Sequence, residues 1–280
     1  MRIAKLLMQS LLAAFGAVWL VLEAYYSLVN TFPDNRIGFS RLLVISLVLG
    51  VAWFILDGLF FAGYLKQSIE IRSNAFDTSI QIVFADLFSQ NGFKAVSVNE
   101  FFDSTVDGDH VSGNSLHGIM LKRYWGRNIS DWDKQIAEEL KSIEPDKVIA
   151  DRPTPGKPNR YLLGTTVKVS TSGQDFLCVA IASTDTETLQ ASASSDDLRR
   201  ALQGLLYKAR IVCSGDALNI PLLGSGLART GIKPNIIVDL ILLTIFEESK
   251  KQKITNDIRI VLSKNMRKRI DLTTIQRDWR

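Results

Sequence analysis

The stretch NIPLLGSGLARTGI, Asn219 to Ile232, reads as an apolar strand that ends in Gly224 and Gly226. The next strongly apolar segment opens at Pro234 and runs to about Phe246, so the layout is strand, glycine turn, helix. Glycines let the backbone approach a ligand, and amide N–H groups at the positive end of a helix dipole favour an anion, which makes this a candidate phosphate seat. The spacing from Gly224 through Gly226 to Gly231 misses GxGxxG, and the chain contains no GxxxxGK[ST], so neither standard nucleotide motif accounts for it. A strand-ending turn with no ligand is the alternative reading of the same residues.

The rest of the chain decides between these readings. With 280 residues, 46% of them hydrophobic, it can bury one large core or hold one domain with something appended. A net charge of +4 is too mild to argue for nucleic acid as a partner. Cys178 and Cys213 lie in apolar surroundings without a CxxC, and His110 and His117 are the only histidines, so neither a disulfide framework nor a zinc or histidine-rich metal site is expected.

Residues 1–65 are a different material. The chain is almost wholly apolar over 6–29 and again over 42–65, each run long enough to cross a bilayer, so a two-helix transmembrane hairpin is expected. The connector carries the turn residues Pro33, Asp34, Asn35 and Gly38. Arg2, Lys5, Lys66 and Arg72 on the outer flanks outweigh Arg36 and Arg41 in the connector, which favours cytoplasmic flanks. Glu23 and Asp57 are ionisable groups inside these apolar runs, where a charge is expensive; they are pore candidates, with interfacial placement or local pairing as the bland alternative.

Residues 66–280 alternate strand and helix signals. Period-two alternation marks strands at 68–73 and 79–84, followed by Asp86, and KAVSVN at 94–99 ends in Asn99. A polar loop leads through SGNSLHG, 112–118, into an apolar helical segment around Ile119 to Trp125. Ser130 to Ile143 is a helix with Ser130 and Asp133 at capping-box spacing. Two strands, 162–169 and 176–183, join through Ser172 and Gly173; 195–211 is helical, 217–223 feeds the glycine turn, and 258–262 is a last strand. The alternation implies a mixed α/β sandwich, with polar residues just past strand ends as the places for ligand contacts. The basic C-terminal end, from Lys264 to Arg280, reads as a solvated tail or a lipid-facing one.

This order of parts resembles the macro domain, a three-layer α/β/α fold with a mixed sheet that binds ADP-ribose. The similarity spans about Ile80 to Leu262 and is strongest at SVN, 97–99, and PLLGSG, 221–226. What the resemblance implies is carried over residue by residue: Asp86 contacts adenine, Asn99 the distal ribose, and Leu223, Gly224, Ser225, Gly226 and Leu227 the diphosphate, with Arg229 beside them. Ser112, Gly113, Asn114 and His117 stand where hydrolytic macro domains carry a glycine run. That departure, with the second asparagine of the family's motif missing, implies binding over de-ADP-ribosylation. No catalytic residue, metal or cofactor is expected, and the ligand is an ADP-ribose derivative.

A membrane hairpin joined to a divergent macro domain is similar to the membrane-anchored macro-domain effectors of type II Thoeris antiphage defence. That likeness implies a homo-oligomer at the bacterial inner membrane, touching membrane lipid, with its macro domain in the cytoplasm. It also implies a functional partner, a TIR-domain protein whose NAD-derived product, histidine-ADP-ribose, is the messenger. A membrane-anchored ADP-ribosyl hydrolase and a constitutive binder of ADP-ribosylated proteins are the alternatives.

Overall fold

The computed structural model describes residues 2–29, 38–61, 63–72, 77–185, 188–224 and 231–279. Its contacts divide into two compact units, residues 1–67 with 271–277, and residues 68–270 with 278–280.

The first unit contains α1 (Arg2–Val29) and α2 (Phe39–Leu56), packed on each other. Both are long and apolar enough to cross a membrane, over Ala4–Leu28 and Phe39–Phe61. The contact is made by the small-residue face of α2, where Leu42, Ser46 and Gly50 are buried. A Cβ on Gly50 would stand 2.9 Å from the Leu11 Cα, so only glycine allows this approach. Ala13 and Ala17, small residues at the same four-residue spacing on α1, are exposed. Against the expected span of 42–65, α2 starts earlier and its end loosens into a π-helical turn at Asp57–Phe61. The chain then reverses: Gly63 is left-handed at φ 66°, its N–H donates to the Asp57 carbonyl, and Leu65 N–H donates to the Gly58 carbonyl. Glu23 is exposed on α1, and Asp57 opens the π-helical turn. The connector residues Pro33, Asp34, Asn35 and Arg36 lie outside the described residues.

The second unit is built on an eight-stranded mixed sheet. Its strands are β1 (Ser68–Ile71), β2 (Ser79–Phe84), β3 (Phe93–Asn99), β6 (Thr166–Thr171), β7 (Gln174–Thr184), β8 (Ala191–Ser192), β9 (Leu218–Pro221) and β10 (Asp257–Leu262), while β4 (Lys147–Val148) and β5 (Asn159–Arg160) form a separate small ladder. The spatial order is β1-β2-β10-β9-β3-β7-β6, with β8 paired to the end of β7. Five neighbours, β2, β10, β9, β3 and β7, are mutually parallel, and β1, β6 and β8 are antiparallel to their partners. The C-terminal ends of those five strands therefore share one edge of the sheet, and that edge is where an α/β sheet places its ligand.

Alternation along β7 divides the core. Phe176, Cys178 and Ala180 join Val96 and Val98 of β3 and Val167 and Val169 of β6 in one cluster. The helical segments on that side are α3 (Leu116–Met120), continued by a π-helical turn to Trp125, and α4 (Ile129–Leu140), which bring in Met120, Trp125, Trp132 and Ile136. Leu177, Val179 and Ile181 have the opposite parity, and α5 (Ser195–Val212) packs on β7 and on α6 (Pro234–Lys251). The α5 start carries a capping box between Ser194 and Asp197. The box expected at Ser130 and Asp133 is not formed. Asn128 stands at the N-cap position of α4 without a side-chain cap hydrogen bond, Ser130 donates to Asn128 Oδ1, and Asp133 is drawn away to the Lys157 ammonium at 2.6 Å. The C-terminal basic stretch, expected as a tail, contains a 3-10 turn at Lys264–Lys268 and the helix α7 (Leu272–Asp278), whose Leu272 and Ile275 are buried.

Candidate functional site

The shared strand edge opens into a cavity of about 970 Å³. Each of the five parallel strands contributes its end: Ala85 to Leu87 after β2, Ser263 to Met266 after β10, Leu222 to Gly224 after β9, Ser97 to Asn99 on β3, and Ile181 to Thr184 on β7. The loop from Gly108 to His117 forms a further wall. A large cavity lined by apolar walls and a few convergent polar groups is the usual form of a ligand site.

The predicted residues fall as follows. Asp86 is exposed at the cavity rim and caps a 3-10 turn by accepting from the Phe88 N–H at 3.2 Å. Leu223 is buried, and Gly224 is left-handed at φ 77°, the conformation in which a Cβ is disfavoured. Ser225, Gly226, Leu227 and Arg229 lie outside the described residues. Ser112, Asn114 and His117 line the cavity. Gly113 does not, because its free face looks at the Lys122 ammonium, which a Cβ there would meet at 2.5 Å. The turn into α3 is held by Ser115, whose hydroxyl donates to the Ser112 carbonyl at 2.7 Å and accepts from the Gly118 N–H at 2.9 Å. Gly118 lets this loop close on the helix, since a Cβ would fall 2.2 Å from the Ser112 carbonyl oxygen.

Asn99 lines the cavity, but its carboxamide is engaged within the protein. Its N–H groups donate to Asp103 Oδ2 at 2.7 Å and to the His110 carbonyl at 3.3 Å, and its oxygen accepts from the Asp103 N–H at 3.1 Å. What remains for a ligand is one acceptor lone pair. Asp103 in turn receives a two-pronged guanidinium from Arg152, at 2.8 and 2.6 Å, together with the Lys157 N–H at 2.9 Å. Both partners of the ion pair are almost wholly buried, and Arg152 lies 3.7 Å above the Phe101 ring. Burial alone would raise the Asp103 carboxyl; the Arg152, Lys157 and Asn99 hydrogen bonds outweigh it and hold the group below its ordinary value.

The two histidines lie in opposite environments. His110 Nδ1 is 2.7 Å from Asp107 Oδ2 and its Nε2 is 3.0 Å from the Pro153 carbonyl oxygen. Both ring nitrogens face acceptors, so the ring satisfies both only as the cation. Burial works against that charge, and the Asp107 carboxylate with the Pro153 carbonyl prevails, leaving its pKa raised. His117 is only 4% exposed, with its ring centroid 5.6 Å from that of Trp132. Burial pushes its pKa down to about 3, so it stays neutral. Its Nε2 has no hydrogen-bond partner, and neither does the Thr184 Oγ1. Thr184 is otherwise fixed, its N–H donating to Glu100 Oε1 at 3.1 Å, while burial raises the Glu100 carboxyl.

Sequence reasoning missed Asp103, His110, Arg152, Thr184 and the segment Ser263 to Met266. Among the described residues, no group of three or more His, Cys, Asp or Glu side chains is placed to hold a metal ion. Both cysteines are buried, and burial raises their thiols, so they are inert core groups.

Comparison with known proteins agrees with this fold. The family model described as Thoeris protein ThsA, Macro domain, matches residues 80–263. The chain is 26% identical over 237 residues to the Thoeris protein ThsA of Bacillus amyloliquefaciens (strain Y2), a match covering 82% of this chain and 77% of that protein. Among solved structures it shares its fold with the Oceanobacillus iheyensis macrodomain with ADP, at 11% identity and a TM-score of 0.51, covering 76% of this chain and 97% of the other. A mutant of that macrodomain with ADPR matches at 14% identity and the same TM-score, covering the same 76% and 97%.

Proposed function

The chain belongs to the Thoeris ThsA macro-domain family, and so to antiphage defence effectors, and we propose that its cavity binds an ADP-ribose-derived messenger. In this reading a partner TIR-domain protein makes the messenger, histidine-ADP-ribose, and binding drives self-association of the chain in the bacterial inner membrane, which is disrupted as a result. The apolar hairpin supplies the membrane part, with the macro domain on the cytoplasmic side and Glu23 and Asp57 as pore candidates.

One observation carries the binding reading: the order of groups along the strand edge. From β2 to β7 the edge presents a carboxylate at Asp86, the polar segment Ser263 to Met266, the glycine turn at Gly224, Asn99, and then Thr184. Four inter-strand steps of ~4.8 Å make this row roughly 19 Å long, the scale of an extended dinucleotide. A purine amine suits the carboxylate end, a diphosphate suits backbone amides in the middle, and a ribose hydroxyl can donate to the remaining Asn99 lone pair. The chemistry of the far end favours sensing over hydrolysis. A histidine whose conjugate acid has a pKa of about 3 is a poor proton acceptor for activating water.

Ligand can drive assembly only as far as it binds the assembled state better than the resting one. The test is dye release from liposomes carrying the full-length chain, with and without histidine-ADP-ribose. Release that depends on the nucleotide is expected; release that ignores it contradicts the gated mechanism.

A further inference from the structure

The large sheet ends laterally in β1 on one side and β6 on the other, and the two outermost strands are finished differently. Along β6 the outward backbone is engaged by side chains of α4. Glu139 Oε2 accepts from the Lys168 N–H at 3.0 Å, and the Gln135 carboxamide accepts from the Ser170 N–H at 2.8 Å and donates to the Ser170 carbonyl at 3.0 Å. Side chains that occupy an outer strand in this way remove it as a template for further pairing. β1 pairs with β2 over Ser68–Ile71, and among the described residues its backbone has no other hydrogen-bond partner. Its amide and carbonyl groups on the side away from β2 are therefore open. Ile69 and Ile71 are buried on one face of the strand, while Glu70 and Arg72 stand exposed on the other, the Arg72 guanidinium donating to the Glu70 carboxylate at 2.9 and 3.1 Å.

We propose that β1 is the surface through which two copies of this chain associate, strand against strand and antiparallel, so that their sheets join into one. The proposal rests on the reading of the chain as a self-associating effector. In an antiparallel pair, residues directly opposite each other share a face of the sheet. A two-fold axis centred on Ile71 therefore sets Glu70 of each copy opposite Arg72 of the other, and it continues the buried face of Ile69 and Ile71 from one sheet into the next. Moved by one pair in either direction, the axis falls on Glu70 or on Arg72 and sets like charges opposite one another. Charge thus selects one register among its neighbours, and in that register the strand is complementary to itself. A ladder this short does not hold two free proteins together. Confinement of both copies to one bilayer raises their effective concentration and makes the pairing competent.

The experiment is energy transfer between donor-labelled and acceptor-labelled copies of the full chain in liposomes, with and without histidine-ADP-ribose, on the wild type, E70R and R72E. Each substitution sets like charges opposite one another across the two-fold axis and is expected to weaken association about ten-fold. Donor-labelled E70R is then mixed with acceptor-labelled R72E. The mixture restores opposite charges between copies and leaves like charges within each, so association is expected to return to within about three-fold of the wild type. A misfolded variant or a purely intrachain role for the Glu70–Arg72 pair produces no such recovery. Single variants that associate like the wild type overturn the assignment, as does a mixture that stays as weak as its components. Wild-type copies that do not associate under either condition overturn the self-association reading and this proposal with it. Association that ignores the nucleotide but is lost in the single variants and regained in the mixture contradicts gating by the messenger and supports the β1 interface.

Discussion

The cavity has two kinds of wall, and they differ in how completely their polar atoms are used. On one side Asn99 lines the cavity, and behind it the Asp103 carboxylate accepts from the Arg152 guanidinium, the Lys157 N–H and the Asn99 carboxamide together, with the Arg152 Nε the one buried atom of this group left unpaired. On the other, His117 and Thr184 each keep a buried polar atom without a partner. A satisfied network fixes geometry, and an unsatisfied one is completed by something else. The contrast separates atoms that frame the cavity from atoms available to a ligand, and it narrows the expectation for Asn99, whose amide protons serve the frame and whose oxygen keeps one acceptor lone pair.

The sharpest way to break this comparison is to break the frame. R152M leaves the Asp103 carboxylate buried without its cation and is expected to cost about 3–5 kcal/mol in urea-induced unfolding, the range for stranding one member of a buried pair. The double variant D103L/R152M, which strands no charge but leaves the Asn99 amide and the Lys157 N–H without their acceptor, should lose less than R152M alone; a larger loss would mean that those hydrogen bonds outweigh the ion pair. Next in size, S115A removes the hydroxyl that caps α3 and ties it to Ser112, with an expected loss of about 1 kcal/mol by the same measurement.

The histidines extend the comparison into pH. In the folded state His117 refuses a proton down to about pH 3, while the unfolded chain accepts one near pH 6.5. Its contribution therefore weakens stability progressively as pH falls below about 6.5. His110 has a raised pKa in the folded state, so its contribution is full below about pH 6.5 and is lost as pH rises through the folded value. Thermal unfolding across pH 5 to 8 should show H117F with a shallower acid-side decline than the wild type and H110N with a shallower alkaline-side one. Identical slopes in all three proteins would remove the distinction between the two rings. The smallest effect expected is that of T184V on the free protein, a Tm change near zero or upward.

Much of the frame was legible in the sequence because it is periodic. Alternation located β2, β3 and β10, the strand–glycine–helix layout at Asn219 to Ile232 located β9 and α6, and unbroken apolar runs located α1 and α2. What escaped was non-local. Arg152 sits in a proline-rich loop and Asp103 in a polar one, each indistinguishable from a solvated charge until the fold carries them together across 49 positions. His110 escaped for the same reason, its second partner being Pro153. Thr184 had no signal at all, since a threonine at a strand end is ordinary and only the absence of a partner makes it informative. The capping box at Ser130 failed because Asp133 has a better offer from Lys157 than from a helix terminus, a competition that spacing does not reveal.

The central claim, that this strand edge holds an ADP-ribose derivative, is tested most directly by calorimetric titration of the full chain in lipid nanodiscs with histidine-ADP-ribose, comparing wild type with G224V. Gly224 is left-handed, so a β-branched side chain there strains the turn that is proposed to meet the diphosphate. Saturable binding to the wild type at one ligand per chain, lost or weakened at least ten-fold in G224V, is the predicted result. No binding to the wild type, or binding that G224V leaves unchanged, would contradict the account.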